Sequence, residues 1–540
     1  MMSTRGSASF STALPTPKTS VILAACLQAG SALHAAQTCE SLAKLDLLAL
    51  SITTAESVPA GSFTPPGGKA LPNLPAFCRV AGVIKPSSDS NIQFEVWMPA
   101  SNWNGKFQGA GNGGFAGYIG YDQLANAVRH NYASAGTDTG HRATPGVDAG
   151  WALDHPEKIA DFGYRAIHET AVKAKAILHA FYGEAPKRSY FSSCSNGGRQ
   201  ALMEAQRYPE DYDGIIAGAP ANYWTHLLAN AAWDNLALLG DKDSFIPPKK
   251  LPAIQAAALA ACDALDGVKD GVIEDPSHCH FDPSVLLCQA AEQDSCLTAP
   301  QVATLKKLYA GGHNSHGQIF PGYAPGGEAE SGGWAVWITG AVPERSLMYA
   351  FGTQFFKNMV FDSAAWDYHT FNADRDTKAA DDKQSGNLNA TDPDLGRFRE
   401  RGGKLILYHG WSDAAIAPQN TIDYYDSVAA KMGAQQAGAF VRLFMVPGMQ
   451  HCGGGSGPNS FGQFTVASGD ADRDMDAALE RWVEKGVAPE RIVAAKRKSD
   501  LDPASAVVRT RPLCAYPLIA RYQGTGSTDD AANFVCAKHD

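Results

Sequence analysis

The sequence predicts an α/β fold whose sheet is interrupted by a large insertion, and three observations carry that prediction. A short strand over residues 188–192 runs into the small-residue turn Cys194-Ser195-Asn196-Gly197-Gly198, and a helix over 200–207 follows. After residues 215–220 (IIAGAP) the composition changes to a stretch rich in Ala, Trp, Asp and Cys that lasts to about Asn389, without regular alternation of strand and helix. Strand signals then return at 404–408 (KLILY) and 442–446 (RLFMV).

The remaining elements fit around these. Residues 94–98, 106–110 and 132–136 read as sheet strands separated by Gly- and Asn-rich turns, and 162–182 reads as a long amphipathic helix. Residues 420–430 form a connecting helix, and 475–485 a helix that closes the core. A chain of 540 residues exceeds the usual size of one hydrophobic core. The predicted organisation is a leader over 1–36, a first core part over 37–222, an inserted domain over 223–389 and a second core part over 390–540.

Arg5 and Lys18 precede or open the apolar run 19–36, which ends in small residues as a secretory signal peptide does. A secreted or periplasmic protein is expected. Leu23-Ala24-Ala25-Cys26 resembles a lipobox, so a lipid anchor at Cys26 is the alternative to cleavage at Ala35 or Ala36. No later segment holds about 18 unbroken apolar residues, so no transmembrane span is expected. Ten cysteines follow Cys26, an even number that suits an exported, disulfide-bonded chain. Cys262 with Cys279 and Cys288 with Cys296 are close enough in sequence to invite local bridges. The net charge of -10 offers no basic field for a polyanion, so nucleic acid is excluded as a partner in favour of a small organic molecule.

A serine hydroxyl becomes a useful nucleophile when a histidine takes its proton and a carboxylate orients that histidine. Ser195 lies in the strand-to-helix turn, Asp413 follows 404–408 in the turn His409-Gly410-Trp411-Ser412-Asp413, and His451 follows 442–446. Serine, acid, histidine, each just past the carboxyl end of a strand, is the order of an α/β-hydrolase. The fold class thus sharpens to an α/β-hydrolase core with a large inserted lid domain. Ser193 stands where the common G-x-S-x-G signature has its first glycine. Alone, the turn also reads as a Ser- and Gly-rich helix cap, Asp413 as another cap and His451 as a surface histidine; their joint placement favours catalysis.

Ester chemistry also needs donors for the oxyanion. The amide of Asn196 is one, and the loop 109–117 (GAGNGGFAG) offers another at Gly114, with Gly113 next. A bridge between Cys194 and Cys452, which flank Ser195 and His451, would tie the turn to the histidine loop; a free nucleophilic Cys194 is the competing reading. In the insertion, Asp263, Asp266 and Asp270 are interleaved with Gly267 and Gly271. Oxygen ligands on a tight loop suit calcium, although the spacing is not that of an EF-hand and a surface series of Asp-Gly turns is the alternative.

Cys194 to Gly198, Ser412-Asp413 and His451-Cys452 resemble the tannase and feruloyl esterase family, and the similarity extends to residues 111–114, 218–220 and 511–514. The resemblance implies a calcium ion in the lid, held by Asp263, Asp266, Asp270 and the carbonyls of Val268 and Val272, with Ile273 the alternative to Val272. It implies bridges Cys39 to Cys78, Cys194 to Cys452, Cys262 to Cys279, Cys288 to Cys296 and Cys514 to Cys536. A hydrolase of mono(2-hydroxyethyl) terephthalate in the same family clamps a carboxylate with a lid arginine, for which Arg345 is the candidate here; it carries an aromatic where this chain has Ile416. Trp334, Trp337 and Phe351 are candidate stacking partners for an aromatic acyl group, with core packing the alternative for each. The expected activity is hydrolysis of an aromatic carboxylic ester, feruloyl or hydroxycinnamoyl first, with galloyl esters or the terephthalate monoester as alternatives. A non-catalytic exported ligand-binding protein on a hydrolase scaffold is the reading from another class.

Overall fold

In the computed structural model, which describes residues 38–143, 146–463, 469–502 and 504–538, the apolar runs pair into a nine-stranded sheet. The segment 1–36 expected to be a leader, with Cys26, lies outside the described residues. In chain order the strands are β1 (Leu50–Val58), β2 (Phe77–Ile84), β3 (Ile92–Pro99), β4 (Lys106–Ala110), β5 (Ala133–Thr137), β6 (Arg188–Cys194), β7 (Gly214–Gly218), β8 (Lys404–Gly410) and β9 (Val441–Val446). Their order across the sheet is β1-β2-β3-β5-β4-β6-β7-β8-β9. From β5 to β9 every neighbouring pair is parallel, whereas β1, β2 and β3 join antiparallel. Every residue of β7 is buried, and in β8 all but Lys404; strands covered on both faces read as continuous apolar runs.

Helices α1 (Ala166–Tyr182) and α2 (Asn196–Arg207) cover one face, and α7 (Met475–Lys485) packs against β7 and β8 on the other. Helix α6 (Gln419–Met432) follows β8. Between β7 and β8 the chain forms a mostly helical segment in which α3 (Trp224–Leu239) packs against α4 (Leu347–Phe355) and α5 (Ala373–Leu388). Its apolar core includes Phe115, Ala415 and Ile416, so the insertion closes directly on the loops at the carboxyl edge of the sheet. Residues 36–540 form one compact unit.

Several boundaries differ from expectation for identifiable reasons. Helix α2 begins at Asn196 rather than Gln200, because Gly197 and Gly198 serve packing and not helix breaking. A Cβ on Gly197 would lie 1.9 Å from Ser193 Oγ, and one on Gly198 2.3 Å from the Gly218 carbonyl oxygen of β7. The predicted helix from 162 opens with a π-turn over Asp161–Arg165 before α1. Two C-terminal hairpins were not expected: β10 (Arg491–Arg497) with β11 (Val507–Cys514), and β12 (Ile519–Tyr522) with β13 (Phe534–Ala537). All five bridges implied by the family resemblance are present, with Cα–Cα separations from 5.0 to 6.0 Å.

Candidate active site

The three residues singled out from their order in the chain meet in space. His451 Nε2 lies 2.9 Å from Ser195 Oγ, and its Nδ1 lies 2.8 Å from Asp413 Oδ2. Ser195 follows β6 at φ +67°, ψ -127°, a region that strains a residue with a Cβ and turns the hydroxyl out of the strand. The turn is pinned by Ser195 N–H donating to Gly218 O (2.9 Å) and Ala221 N–H donating to Ser195 O (3.1 Å). The missing first glycine of the signature is compensated nearby: Ser193 Oγ occupies the space that a Cβ on Gly111 or Gly197 would need. The bridge Cys194–Cys452 spans 258 residues of sequence and ties the serine turn to the histidine loop, so Cys194 is not a free thiol.

Asp413 is 2 % exposed, and its oxygens are fully engaged. Oδ1 accepts from the N–H groups of Ala415 (2.7 Å) and Ile416 (3.0 Å), and Oδ2 accepts from His451 and from His409 Nε2 (3.1 Å). Burial opposes its ionisation, but the charge of His451 and the hydrogen bonds from both histidines outweigh it and hold the carboxyl well below the usual carboxylate range. Asp413 is therefore an anion throughout the neutral range.

Gly113 N–H donates to Tyr118 Oη at 3.0 Å, which leaves Gly114 as the loop's candidate oxyanion donor beside Asn196. Gly114 has φ +59°, and a Cβ there would lie 2.4 Å from Gly146 O, so only glycine fits. Asn196 opens α2, where backbone N–H groups have no partner within the helix. Asn112 and Gln200, whose roles the sequence did not flag, lock the loop onto α2 together with the Asn196 side chain. Asn196 Nδ2 donates to Asn112 O (3.0 Å), Gln200 Nε2 to Asn112 Oδ1 (2.7 Å), and Asn112 N–H to Gln200 Oε1 (3.1 Å). Arg199, fully buried, donates through Nε to Asn196 Oδ1 (2.9 Å).

Ser195, Gly114, Trp337 and His451 border two hollows. One, of about 340 Å³, is polar and lined by strand ends and the glycine loop, including Gln108, Asn112, Ser134 and Ser192. The other, of about 50 Å³, is apolar and lined by Trp224, Leu227, Leu228, Met348, Phe351 and Ile416. Trp337 meets His451 edge to face, with ring centroids 4.9 Å apart, and stacks towards Phe351 at 6.3 Å. Trp337, Phe351 and Ile416 thus line the apolar hollow. Arg345 does not: it is exposed, just ahead of the Ser346 cap of α4, and borders neither hollow. Trp334 is also absent from the site, since it packs edge to face against Tyr309 and Tyr323 in a separate core.

The family model described as tannase and feruloyl esterase matches residues 78–537. The chain belongs to that family. It is similar to an uncharacterised esterase of Xanthomonas campestris pv. campestris, 47% identical over 93% of this chain and 91% of that protein. A probable feruloyl esterase B-2 of Aspergillus terreus is 34% identical over 85% of this chain and 86% of its own. Among solved structures, feruloyl esterase B from Aspergillus oryzae is 32% identical with a TM-score of 0.85, covering 92% of this chain and 99% of that one. Tannin acyl hydrolase from Aspergillus niger, 24% identical with a TM-score of 0.73 over 92% of both chains, shares the fold. Members of the tannase and feruloyl esterase family are carboxylic ester hydrolases, and so is this chain.

The loop 263–274 of the insertion brings several carboxylates together. Asp263, Asp266 and Asp270 share it with buried Glu274, and Asp270 Oδ2 pairs with Arg511 (2.6 Å) and Arg509 (3.1 Å) of β11. Burial, reinforced by Asp270, pushes Asp266 up to about 6. Burial pushes Glu274 up to about 8. Asp263 accepts from the N–H groups of Asp270 and Gly271, and Asp270 Oδ1 from that of Val272, which closes the loop. Crowded hard-oxygen donors of this kind suit a calcium ion.

Proposed function

We propose that this chain is an exported serine esterase that hydrolyses esters of aromatic carboxylic acids, feruloyl and related hydroxycinnamoyl esters first. One observation carries the reading: the contact chain Ser195–His451–Asp413 opens onto an apolar slot whose lining, among the described residues, holds no Asp, Glu, Lys or Arg. Ser195 Oγ attacks the ester carbonyl as its proton passes to His451 Nε2, and the N–H groups of Asn196 and Gly114 receive the developing oxyanion. His451 returns that proton to the leaving alcohol, which leaves the acid joined to Ser195. A water then repeats the sequence and frees the acid. Asp413 holds the proton on Nδ1 and stabilises the imidazolium.

The uncharged slot supports a neutral acyl group over a terephthalate, whose free carboxylate would be desolvated there without a partner. The relatives named feruloyl esterase B point the same way. The slot holds about 50 Å³, so an entering aromatic ring would press on the side chains of Trp337, Met348 and Phe351. Calcium, held by Asp263, Asp266, Asp270 and the carbonyls of Val268 and Val272, would offset the negative charge of the clustered carboxylates of that loop. Chelation is then expected to lower the melting temperature, with calcium restoring it. Five disulfides and the leader support export.

A hydrolysis panel tests the substrate. Methyl ferulate is expected to exceed both methyl gallate and mono(2-hydroxyethyl) terephthalate by about tenfold or more in kcat/KM, a difference of about 1.4 kcal/mol. The opposite order would reassign the acyl group.

A further inference from the structure

Asp413 is held by a second histidine that the chemistry above leaves without a role. His409, in β8, is fully buried. Its Nε2 lies 3.1 Å from Asp413 Oδ2 and 3.0 Å from Ile416 O, and its Nδ1 lies 2.7 Å from Thr421 Oγ1 of α6. A carboxylate and a carbonyl only accept, so Nε2 carries a proton, while Nδ1 meets the Thr421 hydroxyl.

We propose that His409 is a positioning residue that tunes the basicity of His451 by donating to the same oxygen, Asp413 Oδ2, that receives His451 Nδ1–H. Sharing that oxygen withdraws charge from it and limits how strongly Asp413 stabilises the His451 imidazolium. The anchoring of the carboxylate does not depend on His409, because Oδ1 is held separately by the Ala415 and Ile416 amides. Its contribution through Oδ2 is therefore chiefly to charge. His409 also ties Ile416, a wall of the apolar slot, to the same oxygen. The other titratable groups whose charge reaches Asp413 are His451, Tyr323 from the insertion and Tyr408 of β8. Burial keeps both phenols protonated, as it does Tyr424 on α6. His409 and His451 are thus the partners able to modulate Asp413 near neutrality.

The inference rests on Ser195, His451 and Asp413 being the catalytic residues, and the test separates the two. The pH dependence of kcat/KM on methyl ferulate would be measured for the native enzyme, His409→Phe and His409→Gln, with Ser195→Ala as control. The acidic limb reports His451. Loss of the donor in His409→Phe should raise that limb by about 0.5–1 pH unit. His409→Gln places an amide N–H near the lost Nε2–H and should bring the limb back to within about 0.2 unit of native. A folded His409→Phe enzyme with an unmoved limb overturns the proposal, whatever its kcat. Should His409→Phe fail to fold, ¹⁵N-histidine NMR of the native chain decides. His409 is expected to carry a proton on Nε2; an Nδ1–H tautomer, which leaves nothing on Nε2 to donate to Asp413, contradicts it. Undiminished turnover in Ser195→Ala would instead remove the underlying mechanism.

Discussion

Ser195 stands between two hollows built from different materials. The polar one is walled by the ends of β4, β5 and β6 and by the glycine loop, positions fixed by ladder hydrogen bonds and by the Asn112–Gln200 clamp. The apolar one is walled largely by side chains of α3 and α4 in the insertion, whose rotamers are held by packing alone. The difference teaches where each property of the enzyme resides. On the proposed mechanism, bond-making geometry would belong to the sheet edge and choice of acyl group to the insertion.

Changes on the sheet side should therefore damage turnover for every ester. Asp413→Asn loses the anion that fixes the His451 tautomer and should lower kcat by about 10,000-fold with the fold intact, measured on methyl ferulate and an aliphatic ester alike. Replacing both Cys194 and Cys452 by Ala removes the tie between the serine and histidine loops. It should cost about 2–5 kcal/mol of stability, read as a lower melting temperature.

A third change on this side depends on pH. Burial pushes buried Asp138, whose carboxylate accepts from the Gln93 and Gly140 amides at 2.9 Å, up to about 7. A carboxyl raised on folding contributes stability at low pH that is lost as pH climbs from its ordinary value towards 7. Asp138→Asn keeps an oxygen acceptor and removes that loss. It should stabilise the enzyme by about 1–3 kcal/mol at pH 8 and by almost nothing near pH 4.

On the insertion side the effects should be smaller and selective. Trp337→Ala and Phe351→Ala should each reduce kcat/KM about tenfold for methyl ferulate, and by less than about twofold for an aliphatic ester. An equal loss for both esters would erase the division between the hollows. Arg345→Ala, at an exposed position bordering neither hollow, should leave stability within about 0.5 kcal/mol and kcat/KM unchanged.

The same contrast explains what was legible in the sequence. The parallel strands β6, β8 and β9 are short strand signals followed by Ser195, Asp413 and His451, so these three could be ordered without coordinates. Strand β1, half exposed and carrying Thr53, Thr54 and Glu56, lacks such a run, and it is recognisable as a strand only beside β2. The clamp of Asn112, Gln200 and Arg199 and the contact of His409 with Asp413 were hidden because they depend on partners that meet only after folding, or on which way a buried ring points. The insertion is harder still. Its aromatics are divided between slot and core by helix rotation, so Trp337 borders His451 while Trp334, three residues earlier, is buried against Tyr309 and Tyr323.

The most direct measurement of the central claim is to quench the reaction with methyl ferulate within the first turnover and map the acylated peptide by mass spectrometry. A feruloyl group on Ser195, absent from the Ser195→Ala chain together with its turnover, is the expected result. An acyl group on any other residue, or full turnover without Ser195, would contradict it.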